Sequence, residues 1–223
     1  MKTSFSVLCS IVLLLLVLPQ FSNATTFISG TGIWGAFEGS LSYTYNVMDN
    51  DATLEVVLTN ISPADNGGYL TAFAFNNPGG NIADVTFSDL YFNLLGAPSF
   101  NNDINAMPLG YFDIGAGLGE SWLGSGNPTP GIAVGVTKTY TFGLTGQNLN
   151  TLNDLSFLSE LSSSGSPYEG NQFFGARFRG FENDESDKVP GTTPPIPEPS
   201  SLLLLGSGLL GVGFFNWFRH LKS

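Results

Sequence analysis

An all-β fold, built as an antiparallel β-sandwich or jelly roll, is what this 223-residue chain predicts. Three observations carry that expectation. Apolar and polar residues alternate with a period of two in several stretches of five to ten residues, which places apolar side chains on one face of a strand. Clusters of Asn, Asp, Gly and Pro separate those stretches and supply turns. Strands alternating regularly with helical patterns, the mark of α/β folds, are absent.

The elements follow in order. Leu41, Tyr43, Tyr45 and Val47 alternate with Ser42, Thr44 and Asn46 to make a first strand. Asp49-Asn50-Asp51 turns the chain, and Leu54, Val56 and Leu58 begin a second strand with Glu55 and Thr59 on the opposite face. A loop over 60–68 leads to Tyr69–Phe75, in which Leu70, Ala72 and Ala74 share one face while Phe73 and Phe75 share the other. Asn76-Asn77-Pro78-Gly79-Gly80 closes that strand, and Ile82–Phe92 reads as one extended segment. Residues 96–131 are rich in Gly, Pro and Asn and read as long loops around a short strand near Tyr111–Ile114. Ile132–Leu144 resumes the alternation, with Gly135 as a bulge. Leu149, Leu152, Leu155, Leu158 and Leu161 recur every third residue and predict a short helix or 3-10 turns at a sheet edge. In the last strand, Phe173–Phe181, Phe174, Ala176 and Phe178 point one way and Arg177 and Arg179 the other.

The two ends have a different character. Lys2, the apolar stretch Ile11–Leu18 and the small residues Ser22 and Ala24 form a signal peptide over 1–24, with cleavage between Ala24 and Thr25. Cys9 does not make the chain a lipoprotein, because the residues before it lack a lipobox and it precedes the apolar core. The sandwich domain is expected over 25–181. Residues 182–196 begin acidic and become proline-rich, a composition that extends a chain and keeps it out of a sheet. That stretch reads as a linker. Beyond it, residues 197–223 form a tail in which 202–218 are apolar on all sides, a transmembrane helix at the lower end of the roughly 17–25 residues such a span takes. Arg219 and Lys222 stop it and keep the C-terminus cytoplasmic, so the domain faces outward, as the signal peptide requires.

Between the terminal segments there is no Cys and no His. That removes the Ser–His triad, the thiolate nucleophile and the His/Cys zinc site. Four basic residues there (Lys138, Arg177, Arg179, Lys188) face seventeen acidic ones, a net charge of −13 that excludes nucleic acid as a partner. Carboxylate chemistry is what remains. Glu55, Asp113 and Glu120 are candidates for a glycosidase pair, but their spacing singles out none of them, and no enzymatic activity is expected. No cofactor is required. Calcium would find oxygen ligands in Asp49 and Asp51 and in Asp184 and Asp187. Neither segment follows the EF-hand pattern, and a solvated turn and a solvated linker account for both. The aromatic content of 19 Phe, 7 Tyr and 3 Trp belongs mostly to a core that has no disulfide to help it. Trp34 and Trp122, each in Gly-rich surroundings, are candidate platforms for stacking on sugar rings or loop caps of the domain.

The tail carries a family resemblance. Pro197-Glu198-Pro199-Ser200, the leucine-glycine stretch 202–210 and the basic end at Arg219 and Lys222 resemble the PEP-CTERM sorting tail of bacterial exosortase substrates. The resemblance implies export through the general secretion machinery and signal peptidase, transient anchoring in the inner membrane with the domain on the periplasmic side, and cutting by an exosortase near Pro197-Glu198-Pro199. It implies a final place at the cell surface or in an exopolysaccharide or biofilm matrix. A carbohydrate-binding module is the second functional reading and a carboxylate-dependent glycosidase the third. The middle of the chain also resembles small β-rich domains that accompany such tails, in Leu58-Thr59-Asn60, Leu70-Thr71-Ala72-Phe73-Ala74-Phe75, Gly131-Ile132-Ala133 and Ala176-Arg177-Phe178-Arg179-Gly180-Phe181.

Overall fold

The computed structural model describes residues 25–164 and 170–193. They are almost entirely strand, turn and loop, with one six-residue α-helix, so the all-β expectation holds. The signal peptide over 1–24 and the tail with its span over 202–218 lie outside the described residues. No helix among the described residues is long and apolar enough to cross a membrane.

In chain order, β1 (Thr25–Thr31), β2 (Ala36–Asn46) and β3 (Asp51–Asn60) form a meander whose ladders run from Thr25 opposite Ser42 to Asn46 opposite Asp51. Leu41 and Tyr43 on β2 and Leu54, Val56 and Leu58 on β3 turn inward, as their alternation predicts. Val47 does not continue the pattern. It sits 79 % exposed on the turn, where Asn50 takes a positive φ of 55° and Tyr45 donates its hydroxyl to the Asn50 side chain at 2.7 Å.

β4 (Gly67–Phe75) runs through the second sheet with both faces covered. Its pairing skips Thr71, since the partner residues Arg177 and Phe178 face Ala72 and Leu70. This irregularity separates Leu70 from Ala72. Leu70 joins Phe73 and Phe75 in the main core, whereas Ala72 and Ala74 pack on the other side, so the expected grouping of Leu70 with the two alanines is corrected.

The stretch expected to be one extended segment is two strands in two sheets. β5 (Ile82–Phe87) pairs in the first sheet and β6 (Phe92–Leu95) in the second. Between them the Asp89 carboxylate accepts the backbone N–H groups of Tyr91 and Phe92, each at 2.9 Å, and turns the chain across. Short strands β7 (Ile104–Asn105) and β8 (Tyr111–Phe112) pair with each other, and β9 (Ile114–Leu118) enters the second sheet between β4 and β6. The Gly135 bulge is a second crossing. β10 (Ile132–Ala133) pairs with β4, the chain passes Gly135 at φ +76°, and β11 (Thr137–Gly146) pairs with β3 and β5. The leucine series becomes a 3-10 turn at Leu149–Thr151 and helix α1 (Asp154–Ser159), opened by a capping box between Asn153 and Ser156.

β12 (Phe174–Phe181) and β13 (Ser186–Pro190) end the described chain. β13 corrects the linker. Five residues of the acidic, proline-rich stretch pair with β12, from Arg179 opposite Ser186 to Gly175 opposite Pro190. Beyond them Thr192 exchanges two backbone hydrogen bonds with Ser29 of β1, at 2.9 and 2.6 Å. Proline is tolerated because Pro190 ends an edge strand. Val189 is fully buried, so the folded body reaches at least Thr192 and not Phe181.

The two sheets run β1-β2-β3-β11-β5 and β13-β12-β4-β9-β6, and every ladder is antiparallel. One core lies between them. Phe37 of the first sheet meets Phe174 of the second at 5.5 Å between ring centroids, and Phe142 meets Phe75 edge-on at 5.2 Å. Burying each such ring contributes roughly 1.5–3 kcal/mol, which is how a body without disulfides is held. A second, smaller core lies on the far side of the second sheet, where Leu95, Ile104, Leu109, Phe112 and Trp122 cover Ala72 and Ala74.

Tyr140 is the exception inside the main core. Its ring lies 4.9 Å from both Phe73 and Phe92, and its buried hydroxyl has no hydrogen-bond partner among the described residues. Burial pushes its phenol far above the ordinary value, with Asp89 adding to the effect. An unpaired buried hydroxyl costs about 1–3 kcal/mol. Tyr140→Phe is therefore expected to stabilise the body by about 1 kcal/mol, read as a rise of about 2–4 °C in the thermal midpoint.

Candidate functional site

The residues singled out from sequence do not converge. Pro197, Glu198 and Pro199, the membrane stop at Arg219 and Lys222, and Ala24 lie outside the described residues. Thr25 is the first residue of β1 and already pairs with Ser42.

Trp122 is only 3 % exposed and stacks on Phe112 at 6.5 Å within the smaller core. A ring in that position cannot offer a face to a sugar, so its reading as a stacking platform is corrected. The glycine-rich loop around it allows the side chain to fold inward and cover Ala72 and Ala74. Trp34 is half-buried against the main core and lines a groove of about 330 Å³ with Asp65, Asn66, Glu182 and Asn183.

Two of the acidic candidates, Asp187 and Asp113, are committed to backbone. Asp187 accepts the N–H groups of Trp34 at 2.8 Å and Gly35 at 3.0 Å, pinning the β1–β2 turn to β13. Gly32 is needed there, since a Cβ on it would stand 2.3 Å from the Asp187 carboxylate. Asp184, at φ +60°, lies on the β12–β13 turn. Asp49 accepts from the Asn46 side chain at 2.7 Å, and Asp51 opens β3. Among the described residues no group of three or more acidic side chains is placed to hold a metal ion.

Asp113 accepts backbone N–H groups from Asn77 at 2.8 Å and Asn102 at 2.6 Å, tying two loops together. Burial raises its carboxyl above the usual value, against those two hydrogen bonds, which lower it. Glu55 is exposed on the outer face of the first sheet and pairs with Ser42 and Thr141. Glu120 is exposed at the rim of a different groove.

That groove, of about 420 Å³, opens beside the smaller core and is lined by Asp103, Ile104, Met107, Glu120, Trp122 and Lys188 among others. The alternation of β12 predicts that Arg177 and Arg179 share a face. What the sequence hid is that β13 sets Lys188 directly opposite Arg177. Three of the four basic residues between 25 and 193 thus meet on one side of the second sheet. Burial, and then Arg179, lower the tendency of Arg177 to hold its proton, and burial, and then Arg177, do the same for Lys188. Lys188 Nζ donates to the Met107 carbonyl, and Arg179 Nη2 donates to the Gly126 carbonyl at 2.9 Å.

No curated protein and no solved structure matches the chain. Its C-terminal stretch does have a counterpart, in the segment that follows the last described strand. Residues 195–219 match the PEP-CTERM protein-sorting motif, and the chain therefore carries the signal that directs export and membrane anchoring before processing by an exosortase.

Proposed function

We propose that this chain is an exported, non-enzymatic protein whose β-sandwich is delivered to the cell surface or the extracellular matrix by exosortase processing of its tail. The match of residues 195–219 to the sorting motif is the observation that carries this reading. A signal peptide over 1–24 would bring the chain through the general secretion machinery. The apolar run 202–218 would hold it in the inner membrane with the sandwich on the periplasmic side, and Pro197-Glu198-Pro199 would be the processing site. An exopolysaccharide or biofilm matrix is the proposed destination, in keeping with an acidic body outside the cell.

The shortened linker sharpens the mechanism. Thr192 is held by Ser29, so only the residues after it separate the body from the motif. Five peptide steps reach Pro197, at most about 18 Å of fully extended chain. The processing enzyme must therefore work close against the folded sandwich. The alternative of a carbohydrate-binding module that stacks sugars on an exposed Trp now rests on Trp34 alone.

Mass spectrometry of the C-terminus, on protein recovered separately from membranes and from medium, tests the proposal. Released protein is expected to end near 197–199, and membrane-held protein to include uncut chains. A released form that keeps residues 200–223 overturns the processing step.

A further inference from the structure

The cluster formed by Arg177, Arg179 and Lys188, with Trp122 in the groove wall beside it, has too many donors for its acceptors. Arg177 is only 9 % exposed, and its Nε and Nη1 atoms are buried with no hydrogen-bond partner among the described residues. Arg179 Nη1 and Trp122 Nε1 are buried and unpartnered as well. Every one of these atoms is a donor. Among the described residues the nearby carboxylates do not answer them. Asp187 precedes Lys188 on the strand and is turned to the Trp34–Gly35 backbone. Asp103 accepts from Ser99, and Glu120 is exposed at the rim.

Buried cations are ordinarily paired, and buried donors ordinarily find an acceptor. Here three cations stand together in a body that carries a large negative charge overall, next to a groove whose size suits a small molecule. Lys188 belongs both to the groove and to this cluster, which joins the two, and Trp122 lines the same groove. An oxyanion supplies what the cluster lacks: a negative charge, and several lone pairs on one compact group.

We propose that this groove binds a ligand through a single oxyanion group, a carboxylate or a phosphate, held by Lys188 in the groove wall with Arg177 and Arg179 behind it. The long-range field of the acidic body repels polyanions, so the site takes one such group at short range rather than a charged polymer along its length. This inference is independent of how the tail is processed.

Isothermal titration calorimetry on the full-length protein in a nonionic detergent tests it, with sodium galacturonate, inorganic phosphate, neutral galactose and a sodium chloride control at matched ionic strength. One-to-one saturable binding is expected for galacturonate, phosphate or both, and none for galactose. Tighter galacturonate assigns the group to an acidic sugar and tighter phosphate to an inorganic anion; either sustains the oxyanion site. Arg177→Met and Lys188→Met are each expected to weaken binding at least tenfold while circular dichroism stays unchanged. Should Arg177→Met fail to fold, Lys188→Met at the more accessible end of the cluster decides. No saturable binding by either anion, galactose binding as well as galacturonate, or unchanged affinity in Lys188→Met would each overturn the proposal.

Discussion

Replacing Phe73 with alanine is expected to cost about 3–5 kcal/mol, a large part of the 5–15 kcal/mol that stabilises an ordinary domain. Phe73 is fully buried at the centre of β4, and four other rings surround it. Phe174 stacks on it at 6.0 Å, Phe142 meets it edge-on at 6.0 Å, and Tyr140 and Phe92 stand at 4.9 and 6.4 Å. These rings come from β12, β11 and β6, on both sheets, so the surrounding backbone is paired and cannot collapse into the space left. The loss is the transfer energy of the ring plus an unfilled cavity. Urea denaturation measures it, and a change below about 1 kcal/mol would mean that the two sheets do not share one core in solution.

The second large effect is expected from the stretch that composition marks as a linker. Replacing Ser186–Pro190 with a glycine-serine run of equal length is expected to destabilise the body by on the order of 5 kcal/mol. The sum has two parts: burial of Val189, worth about 1.5–3 kcal/mol, and a ladder to β12 whose hydrogen bonds contribute about 0.5–1.5 kcal/mol each. Asp187 adds to it, because its loss leaves the N–H groups of Trp34 and Gly35 without their acceptor. The substituted chain keeps the sorting motif intact, so its denaturation midpoint reports on the body alone. A free linker at 182–196 would leave that midpoint where it was.

The legible parts of the fold are those where one face meets water. Leu54, Val56 and Leu58 alternate with Glu55 and Thr59 because β3 is buried on one side only, and there the pattern reads directly. β9 was invisible for the opposite reason. Ile114–Leu118 is buried on both sides, and its glycines are required by crowding: a Cβ on Gly115 would stand 2.4 Å from the Phe73 carbonyl oxygen. Strand-forming residues are thus excluded from a position that must be strand. Crossings between sheets, at Asp89 and Gly135, leave the alternation almost unbroken, so the sequence reads through them. The leucine spacing was half informative, since Leu149 is buried while Leu155 and Leu161 stay exposed. The terminal motif was readable because its order of residues, not its contacts, makes it a signal. The cationic cluster was not readable, since it depends on β13 lying beside β12.

The tie between Ser29 and Thr192 joins residues 163 positions apart. If the chain is threaded through a translocation pore amino end first, as proposed, Ser29 arrives almost first and Thr192 almost last. The seam where β1 meets the closing segment therefore stays open for nearly the whole passage, and a long-range closure of this kind is slow to form. On that reading, maturation of the body is timed to the arrival of its own tether: the staple that completes the shell would emerge about ten residues ahead of the apolar run 202–218, the proposed membrane stop.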